Sequence, residues 1–349
     1  MNPYCSNSTI AELTGLLRSA NRIGVVSHDR PDGDAMGTAL MVVRACRALG
    51  KQADMLLTPG ASPTVVALAA AGECRSVPPL PAAGDYDLAV VVDTGARSQL
   101  EGVASWLQAM SESSIGLDHH ARGEEVARHR VVEVGCASAS QVTAALIDAL
   151  GVAWTSGAGP GFTIADACFA GLATDTGWFR FASADAAVMA LASRLLAQGA
   201  EKERVHALME ESERPQRMGI LARALSSLSF LGDGEAAIMR VGHADFAATG
   251  ANSNDLGGAV NEPLCVGSVR VAMLLTETEP GITKISFRCK GPQAGCITHD
   301  MNEFAARFGG GGHVQAAGAR LKQPLDAATA EVTRQFADYL ARRQGKGGS

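Results

Sequence analysis

The chain has 349 residues, of which 47% are hydrophobic and 19% charged, a composition typical of a globular protein with two domains. Its formal net charge of −6 argues against a large basic surface for duplex nucleic acid. The eight cysteines include no C-x-x-C pair, and no signal peptide or membrane span is visible. We therefore expect neither a zinc ribbon nor a disulfide framework, and a cytoplasmic protein.

The first two hundred residues alternate helices with short apolar strands. A capping box at Thr9 and Glu12 begins an amphipathic helix, and RIGVVS (22–27), DLAVVV (87–92) and SIGL (114–117) have the apolar character of buried strands. Helices are predicted over 35–50, 140–151 and 163–174. This alternation predicts a parallel sheet covered on both faces, that is, a doubly wound α/β domain over residues 1–200.

A charge-rich stretch at 201–222 is predicted to be a helical linker between two domains. Beyond it, VRVAMLLTETEPGITKISFRCKG (269–291) predicts two strands around a Pro280–Gly281 turn, and a helix is predicted at about 299–308. These elements predict a smaller α+β domain over 223–343. The polar, Gly-rich tail at 344–349 is predicted to be disordered.

Acidic residues and histidines gather where the predicted strands and one helix end. Because the carboxyl ends of parallel strands meet at one edge of a sheet, we expect these side chains to converge. Crowded carboxylates repel one another unless a cation lies among them, and mixed carboxylate and imidazole ligands suit Mn²⁺, Fe²⁺, Co²⁺ or Zn²⁺. The sequence therefore predicts a metal site. Its candidate residues are His28, Asp32, Asp34, Asp93, Asp118, His119, His120 and Asp175.

Five segments in chain order resemble the motifs of a known family. SHDRPDGDAMG, VVVDTG, GLDHH and ATDTGWF resemble the four motifs of the DHH phosphoesterase superfamily, and FGGGGHVQAAG resembles its DHH-associated C-terminal domain. The resemblance covers about residues 20–335. It is strongest to the nanoRNase/oligoribonuclease branch, which includes enzymes that also dephosphorylate 3′-phosphoadenosine 5′-phosphate.

The resemblance implies a role for each motif residue. Two divalent ions, Mn²⁺ or alternatively Co²⁺ or Mg²⁺, would be bridged by Asp93, and His120 would contact the scissile phosphate instead of a metal. His28 and Asp32 would complete the ligands of one ion. The other ion would be bound by Asp34, His119 and Asp175, and Asp118 would orient a neighbouring imidazole.

The resemblance also implies that the second domain holds the substrate, in a cleft between the two domains. FGGGGH (308–313) matches neither a Walker loop nor G-x-G-x-x-G. Glycine N–H groups can nevertheless approach an anion closely, and an arginine fork suits a phosphate. The candidate substrate-binding residues are Arg288, Gly310, Gly311, Gly312 and His313.

The resulting hypothesis is a two-metal phosphoesterase that hydrolyses short single-stranded RNA to mononucleotides. A site split between two domains would measure substrate length and would exclude a duplex. No membrane partner is expected, and a homodimer is compatible with the sequence. Three alternatives stay open within the enzyme class: a linear or cyclic dinucleotide phosphodiesterase, a 3′-phosphoadenosine 5′-phosphate phosphatase, and a single-strand DNA exonuclease of the RecJ-like type. A non-catalytic nucleotide-binding regulator is a remote fourth.

Overall fold

The computed structural model describes residues 4–157, 161–291 and 299–344. The chain divides into two compact units, Met1–Ser212 and Glu213–Ser349. This division falls inside the stretch 201–222 that was predicted to be the linker. The predicted tail at 344–349 lies outside the described residues from residue 345 onward.

The first unit contains a six-stranded parallel sheet in the order β3-β2-β1-β4-β5-β6. The predicted parallel sheet is thus confirmed, and the three predicted strands are β1, β4 and β5. The sequence did not reveal the other three strands. The six are β1 Arg22–Val26, β2 Gln52–Leu57, β3 Cys74–Ser76, β4 Leu88–Val92, β5 Ser114–Asp118 and β6 His129–Val132.

Helices cover both faces of this sheet. Along β4, Leu88, Val90 and Val92 pack into one apolar cluster with the helices of one face. Ala89 and Val91, which alternate with them, pack into a second cluster on the opposite face. The sheet is therefore doubly wound, as predicted. The helices are α1 Ile10–Ser19, α2 Gly33–Ala48, α3 Pro63–Val66, α4 Ala104–Ala109, α5 Ala139–Leu150, α6 Ile164–Asp175, α7 Ala186–Ala197 and α8 Lys202–Glu210.

Helices α2 and α6 cross at very short range because glycines line the crossing. A Cβ on Gly37 would lie 2.4 Å from the carbonyl oxygen of Ala167, and one on Gly33 would lie 2.4 Å from Thr174 Oγ1. Only glycine fits such an approach. The crossing brings the beginning of α2 and the end of α6 to the same edge of the sheet.

The second unit contains a mixed six-stranded sheet in the order β11-β12-β10-β9-β8-β7. The hairpin predicted around Pro280–Gly281 is formed by β9 and β10, and β8 pairs with β9 in parallel. Apolar side chains of this sheet pack on both faces, which confirms the predicted α+β architecture. Its elements are α9 Pro215–Ser226, β7 Ser229–Leu231, β8 Ala236–Val241, α10 His243–Thr249, β9 Val271–Glu279, β10 Ile282–Cys289, α11 Met301–Ala306, β11 Gly311–Gly312, β12 Ala316–Leu321 and α12 Leu325–Gln344.

None of the helices in the described ranges is both long enough and apolar enough to cross a membrane.

Candidate active site

The candidate site of the first unit lies at the carboxyl ends of its central strands. The strand order reverses between β1 and β4, which is where open α/β sheets place their ligands. His28 follows β1, and Asp93 follows β4. Asp93 adopts a left-handed backbone conformation with φ 55°, and its N–H donates to the carbonyl of Leu117 at 3.0 Å. This conformation is uncommon in residues other than glycine, and strain of this kind clusters at active sites.

The predicted metal ligands converge as two groups. In the first, His28 Nε2 lies 3.8 Å from Asp93 Oδ2 and 4.0 Å from Asp32 Oδ1. In the second, which also contains Asp34, His119 Nε2 lies 3.4 Å from Asp175 Oδ2. Asp93 links the groups, because its Oδ1 lies 3.5 Å from His119 Nε2. The potential ligand atoms within each group all lie within 4.8 Å of one another.

The chemistry of these groups fits a divalent cation. Asp93 Oδ1 and His119 Nε2 are buried, and neither has a hydrogen-bond partner in the described part of the chain. Buried polar atoms are nearly always paired, so two unpaired atoms that face each other point to a ligand. His119 Nδ1 lies 3.3 Å from the carbonyl oxygen of Cys136, a contact that leaves the Nε2 lone pair free for a metal.

The carboxylates of the site repel one another strongly. Burial, together with the charges of Asp34, Asp32 and Asp175, raises the pKa of Asp93 well above its usual range. Burial and the same two neighbouring aspartates, Asp34 and Asp32, raise the pKa of Asp175 to about 7. Bound divalent cations would remove this penalty, so the electrostatics of the site agree with the unpaired atoms.

Asp34 is held by the first turn of α5. The N–H groups of Ala139 and Ser140 donate to its carboxylate at 2.6 and 3.0 Å, and the Thr38 hydroxyl donates at 3.2 Å. Burial raises the pKa of Asp34, which is fully enclosed, and the hydrogen bonds from Ser140 and Ala139 oppose that shift. Sequence reasoning missed Thr38 and Ser140, because nothing local to the motifs indicates that α5 begins against Asp34.

Asp32 lies at a helix terminus as well. It is the N-cap of α2, where its Oδ1 accepts hydrogen bonds from the N–H groups of Asp34 and Ala35 at 3.0 and 3.1 Å. This pairing fixes the side chain, which is otherwise largely exposed, close to His28.

Asp118 was predicted to orient a neighbouring imidazole, and the imidazole that its side chain contacts belongs to His120. Asp118 Oδ1 lies 2.7 Å from His120 Nδ1 and also accepts the N–H of His119 at 2.8 Å. The hydrogen bond to Asp118 raises the pKa of His120. Burial alone would raise the pKa of Asp118, but hydrogen bonds from His120 and Tyr4 bring it below its usual range. Half of the His120 side chain is exposed, so it can reach a substrate.

The predicted substrate-binding residues lie in the second unit. Arg288 pairs with Ala316 across β10 and β12, and the N–H of His313 donates to the carbonyl of Ala316. The backbones of Arg288 and His313 therefore flank the same residue at one end of the sheet. The His313 side chain is exposed, whereas Arg288 is half-buried and one of its guanidinium N–H groups donates to the carbonyl of Phe287.

The glycine run differs from the anion cradle that the sequence suggested. The N–H of Gly310 donates to the carbonyl of Ala305, and the N–H of Gly312 donates to Asn302 Oδ1. These two donors are therefore already used within the loop. Glycine is needed here for close packing, because a Cβ on Gly310 would lie 2.1 Å from the carbonyl oxygen of Gly318. Sequence reasoning missed Asn302, whose side chain accepts the Gly312 N–H.

Comparison with known proteins identifies two family domains in the chain. The DHH family N-terminal domain matches residues 22–172, and the DHHA1 domain matches residues 235–343. The chain is 31% identical over 335 residues to the bifunctional oligoribonuclease and PAP phosphatase NrnA of Thermus thermophilus, which covers 91% of this chain and 92% of that protein.

Two solved structures share the fold. An exopolyphosphatase-related protein from Bacteroides fragilis superposes with a TM-score of 0.80 at 22% identity over 95% of each chain. Exonuclease RecJ bound to manganese superposes with a TM-score of 0.52 at 17% identity over 95% of this chain and 94% of its own. The chain therefore belongs to the DHH family and is a metal-dependent hydrolase of phosphoester bonds.

Proposed function

We propose that this protein hydrolyses short single-stranded oligoribonucleotides to mononucleotides and also removes a phosphate from 3′-phosphoadenosine 5′-phosphate. The observation that carries this proposal is the convergence of the motif carboxylates and histidines around Asp93 at the strand ends. The relative from Thermus thermophilus, described as a bifunctional oligoribonuclease and PAP phosphatase, supports the substrate class.

The side chains around Asp93 would hold two divalent cations, for which we propose Mn²⁺, one of the ions that mixed carboxylate and imidazole ligands suit. His28 and Asp32 would bind one ion, and Asp34, His119 and Asp175 the other, with Asp93 shared between them. Bound in this way, the ions would neutralise the phosphate and lower the pKa of water toward about 7. The protein fixes the ligands in advance, since Asp34 and Asp32 are each held by helix N–H groups.

His120 would supply positive charge where the transition state gains negative charge. Its Nδ1 is engaged by Asp118, so its Nε2 is the atom left to donate a proton to a phosphate oxygen. The raised pKa of His120 favours the protonated imidazole that this task requires. Asp118 holds the ring and stabilises its charge, and the carboxylate itself stays ionised because its pKa is lowered.

Arg288 and His313 in the second unit would bind a phosphate of the substrate. Both side chains can donate hydrogen bonds to a phosphate, and their backbones flank Ala316. We propose further that a two- to five-nucleotide RNA is preferred over a long one.

The experiment is a comparison of specificity constants with Mn²⁺ present. The substrates are single-stranded RNAs of two, three, five, ten and fifty nucleotides, 3′-phosphoadenosine 5′-phosphate, linear diadenylate and single-stranded DNA. We expect the short RNAs and 3′-phosphoadenosine 5′-phosphate to be hydrolysed and a chelator to stop turnover. Equal rates on two and fifty nucleotides would refute length measurement. A preference for diadenylate or DNA would assign the enzyme to one of the alternatives.

A matched pair of variants tests the role of Asp93. Asp93→Asn should lower kcat/KM by roughly 10³-fold, because the metals contribute several kcal/mol of charge stabilisation. Asp233→Asn is the control, since Asp233 has the same φ of 55° but lies exposed in the second unit. Wild-type turnover in Asp93→Asn would exclude the shared-ligand role.

A further inference from the structure

The segment before α1 lies along β6 and reaches the candidate active site. The Ser6 hydroxyl donates to the carbonyl of Val132 at 3.0 Å and accepts the N–H of Val132 at 2.8 Å. The N–H of Asn7 donates to the carbonyl of Arg130 at 3.0 Å, and Asn7 Oδ1 accepts the N–H of Arg130 at 2.7 Å. This segment precedes residue 22, where the match to the DHH domain begins.

The paired segment places the ring of Tyr4 in a slot made by two glycines. A Cβ on Gly95 would lie 2.6 Å from Tyr4 Cζ, and a Cβ on Gly123 would lie 2.7 Å from Tyr4 Cε1. The guanidinium of Arg130 lies 6.0 Å from the ring centroid. These contacts restrict the position of the ring and so set the direction of its hydroxyl.

That hydroxyl donates to Asp118 Oδ2 at 2.7 Å. Among the described residues, Tyr4 is the one side chain that donates to this oxygen, whereas Oδ1 accepts from His120 Nδ1 and from backbone N–H groups. Asp118 is only 2% exposed, so if the Tyr4 hydroxyl were lost and the ring stayed in its slot, this oxygen would have little access to water. An unpaired carboxylate oxygen at such a site would draw the carboxylate away from its present orientation.

We propose that Tyr4 is a positioning residue for the candidate active site: its hydroxyl holds the Asp118 carboxylate in the orientation from which Oδ1 fixes the imidazole of His120. The inference rests on the proposed function, in which His120 contacts the substrate phosphate. It adds a participant that lies outside the matched domain and 114 residues from its partner in the chain.

The hydroxyl can be removed without emptying the slot. Tyr4→Phe keeps the ring between Gly95 and Gly123, so the first unit should unfold at about the same denaturant concentration. We expect kcat to fall about tenfold and KM to change less than about twofold. Loss of a residue that hydrogen-bonds to a functional side chain typically lowers activity about 10–100-fold. The control is Tyr86→Phe, since the Tyr86 hydroxyl also donates to an aspartate of the first unit, Asp54, at 3.0 Å.

A double-mutant cycle tests whether Tyr4 acts through Asp118. If it does, Tyr4→Phe should have no further effect on kcat in the Asp118→Asn background. Additive losses would overturn the proposal. So would an unchanged kcat in Tyr4→Phe, a loss confined to KM, or an equal loss of kcat in Tyr86→Phe.

A measurement without substrate separates this inference from the proposed function. The Nδ1–H proton of His120 can be followed by NMR in protein labelled with ¹⁵N-histidine and assigned with His120→Gln. We expect Tyr4→Phe to shift this resonance and speed its exchange with water, and Tyr86→Phe to leave it in place. An unmoved resonance in Tyr4→Phe overturns the inference. If the resonance moves but the wild-type protein hydrolyses none of the phosphoesters, the proposed function is wrong. The positioning of His120 by Tyr4 through Asp118 would then still be supported.

Discussion

The glycine crossing beneath the candidate metal ligands leads to a quantitative prediction. Gly171 lies within α6, and a Cβ there would lie 2.0 Å from Ser140 Oγ and 2.5 Å from Asp34 Oδ1. Both residues are fully buried, the Ser140 N–H donates to Asp34 Oδ1, and Ser140 Oγ lies 2.8 Å from Thr38 Oγ1. Neither side chain can therefore move aside without breaking a hydrogen bond. Gly171→Ala should therefore disturb the site and the stability of the first unit together.

The magnitude follows from three opposing effects. Replacing glycine by alanine inside a helix stabilises it by about 1 kcal/mol, whereas overpacking a buried site costs about 1–3 kcal/mol. Losing a hydrogen bond to the Asp34 carboxylate costs about 1.5–3 kcal/mol more. We expect a net loss of about 1.5–5 kcal/mol in the free energy of unfolding.

Gly15→Ala supplies the matched control and urea unfolding the assay. Gly15 also lies inside a helix, but a Cβ there meets nothing within 4 Å, so this variant should gain about 1 kcal/mol. Tryptophan fluorescence reports the first unit alone, because all three tryptophans, Trp106, Trp154 and Trp178, lie in it. Direct titration with Mn²⁺ should show an affinity about 10–100-fold weaker in Gly171→Ala and unchanged in Gly15→Ala. If both variants were stabilised alike and bound Mn²⁺ like wild type, the argument from close approach would be wrong.

Two further predictions concern buried charges away from the candidate active site. Glu73→Gln should lower the free energy of unfolding by about 3–5 kcal/mol, measured by urea unfolding with tryptophan fluorescence, because it leaves Arg44, only 2% exposed, without its counter-charge. Glu112→Gln is the control: it weakens an exposed 3.7 Å ion pair and should change the free energy of unfolding by less than about 0.5 kcal/mol. Equal effects of the two variants would contradict the reasoning. Burial lowers the pKa of His299 despite its hydrogen bond to Glu235. The stability that this histidine contributes to the second unit should therefore be fully present above about pH 6.5. Below that pH the stability should decrease, because the unfolded chain takes up a proton before the folded chain does. Hydrogen exchange of β9 and β10 measures this, and a slope that persists unchanged in His299→Gln would assign it to another group.

The sequence predicted those parts of the fold that carry strong local patterns. The strands β1, β4 and β5 are apolar runs in the middle of the sheet, and the capping box at Thr9 begins α1 as expected. The outer strands β3 and β6 were missed, because they are only three and four residues long and contain Arg75 and Arg130. The parallel pairing of β8 with β9 is set by the chain between them rather than by any period in the strands themselves.

The candidate site likewise contains residues that the sequence predicts and residues that it does not. Motif residues such as Asp93 were found because strand ends in an α/β sheet meet at one edge, so their position along the chain predicts their position in space. Ser140, Asn302 and Tyr4 were not found, because each acts on a residue that only the folded chain brings near it. A hydroxyl 114 residues away from its acceptor leaves no local pattern.

Helix ends explain why the acids of the site are not equivalent. Asp32 caps α2 and Asp34 accepts N–H groups at the start of α5, so both face the positive ends of helix dipoles. Asp175 is the last residue of α6, where unpaired carbonyls gather, and burial with the nearby acids raises its pKa to about 7. Negative charge is thus fixed by backbone on one side of the site and left uncompensated on the other. The same acids placed on a sheet edge without α2, α5 and α6 would relieve their repulsion by taking up protons or turning to water, whereas here backbone N–H groups hold two of them in place for a cation.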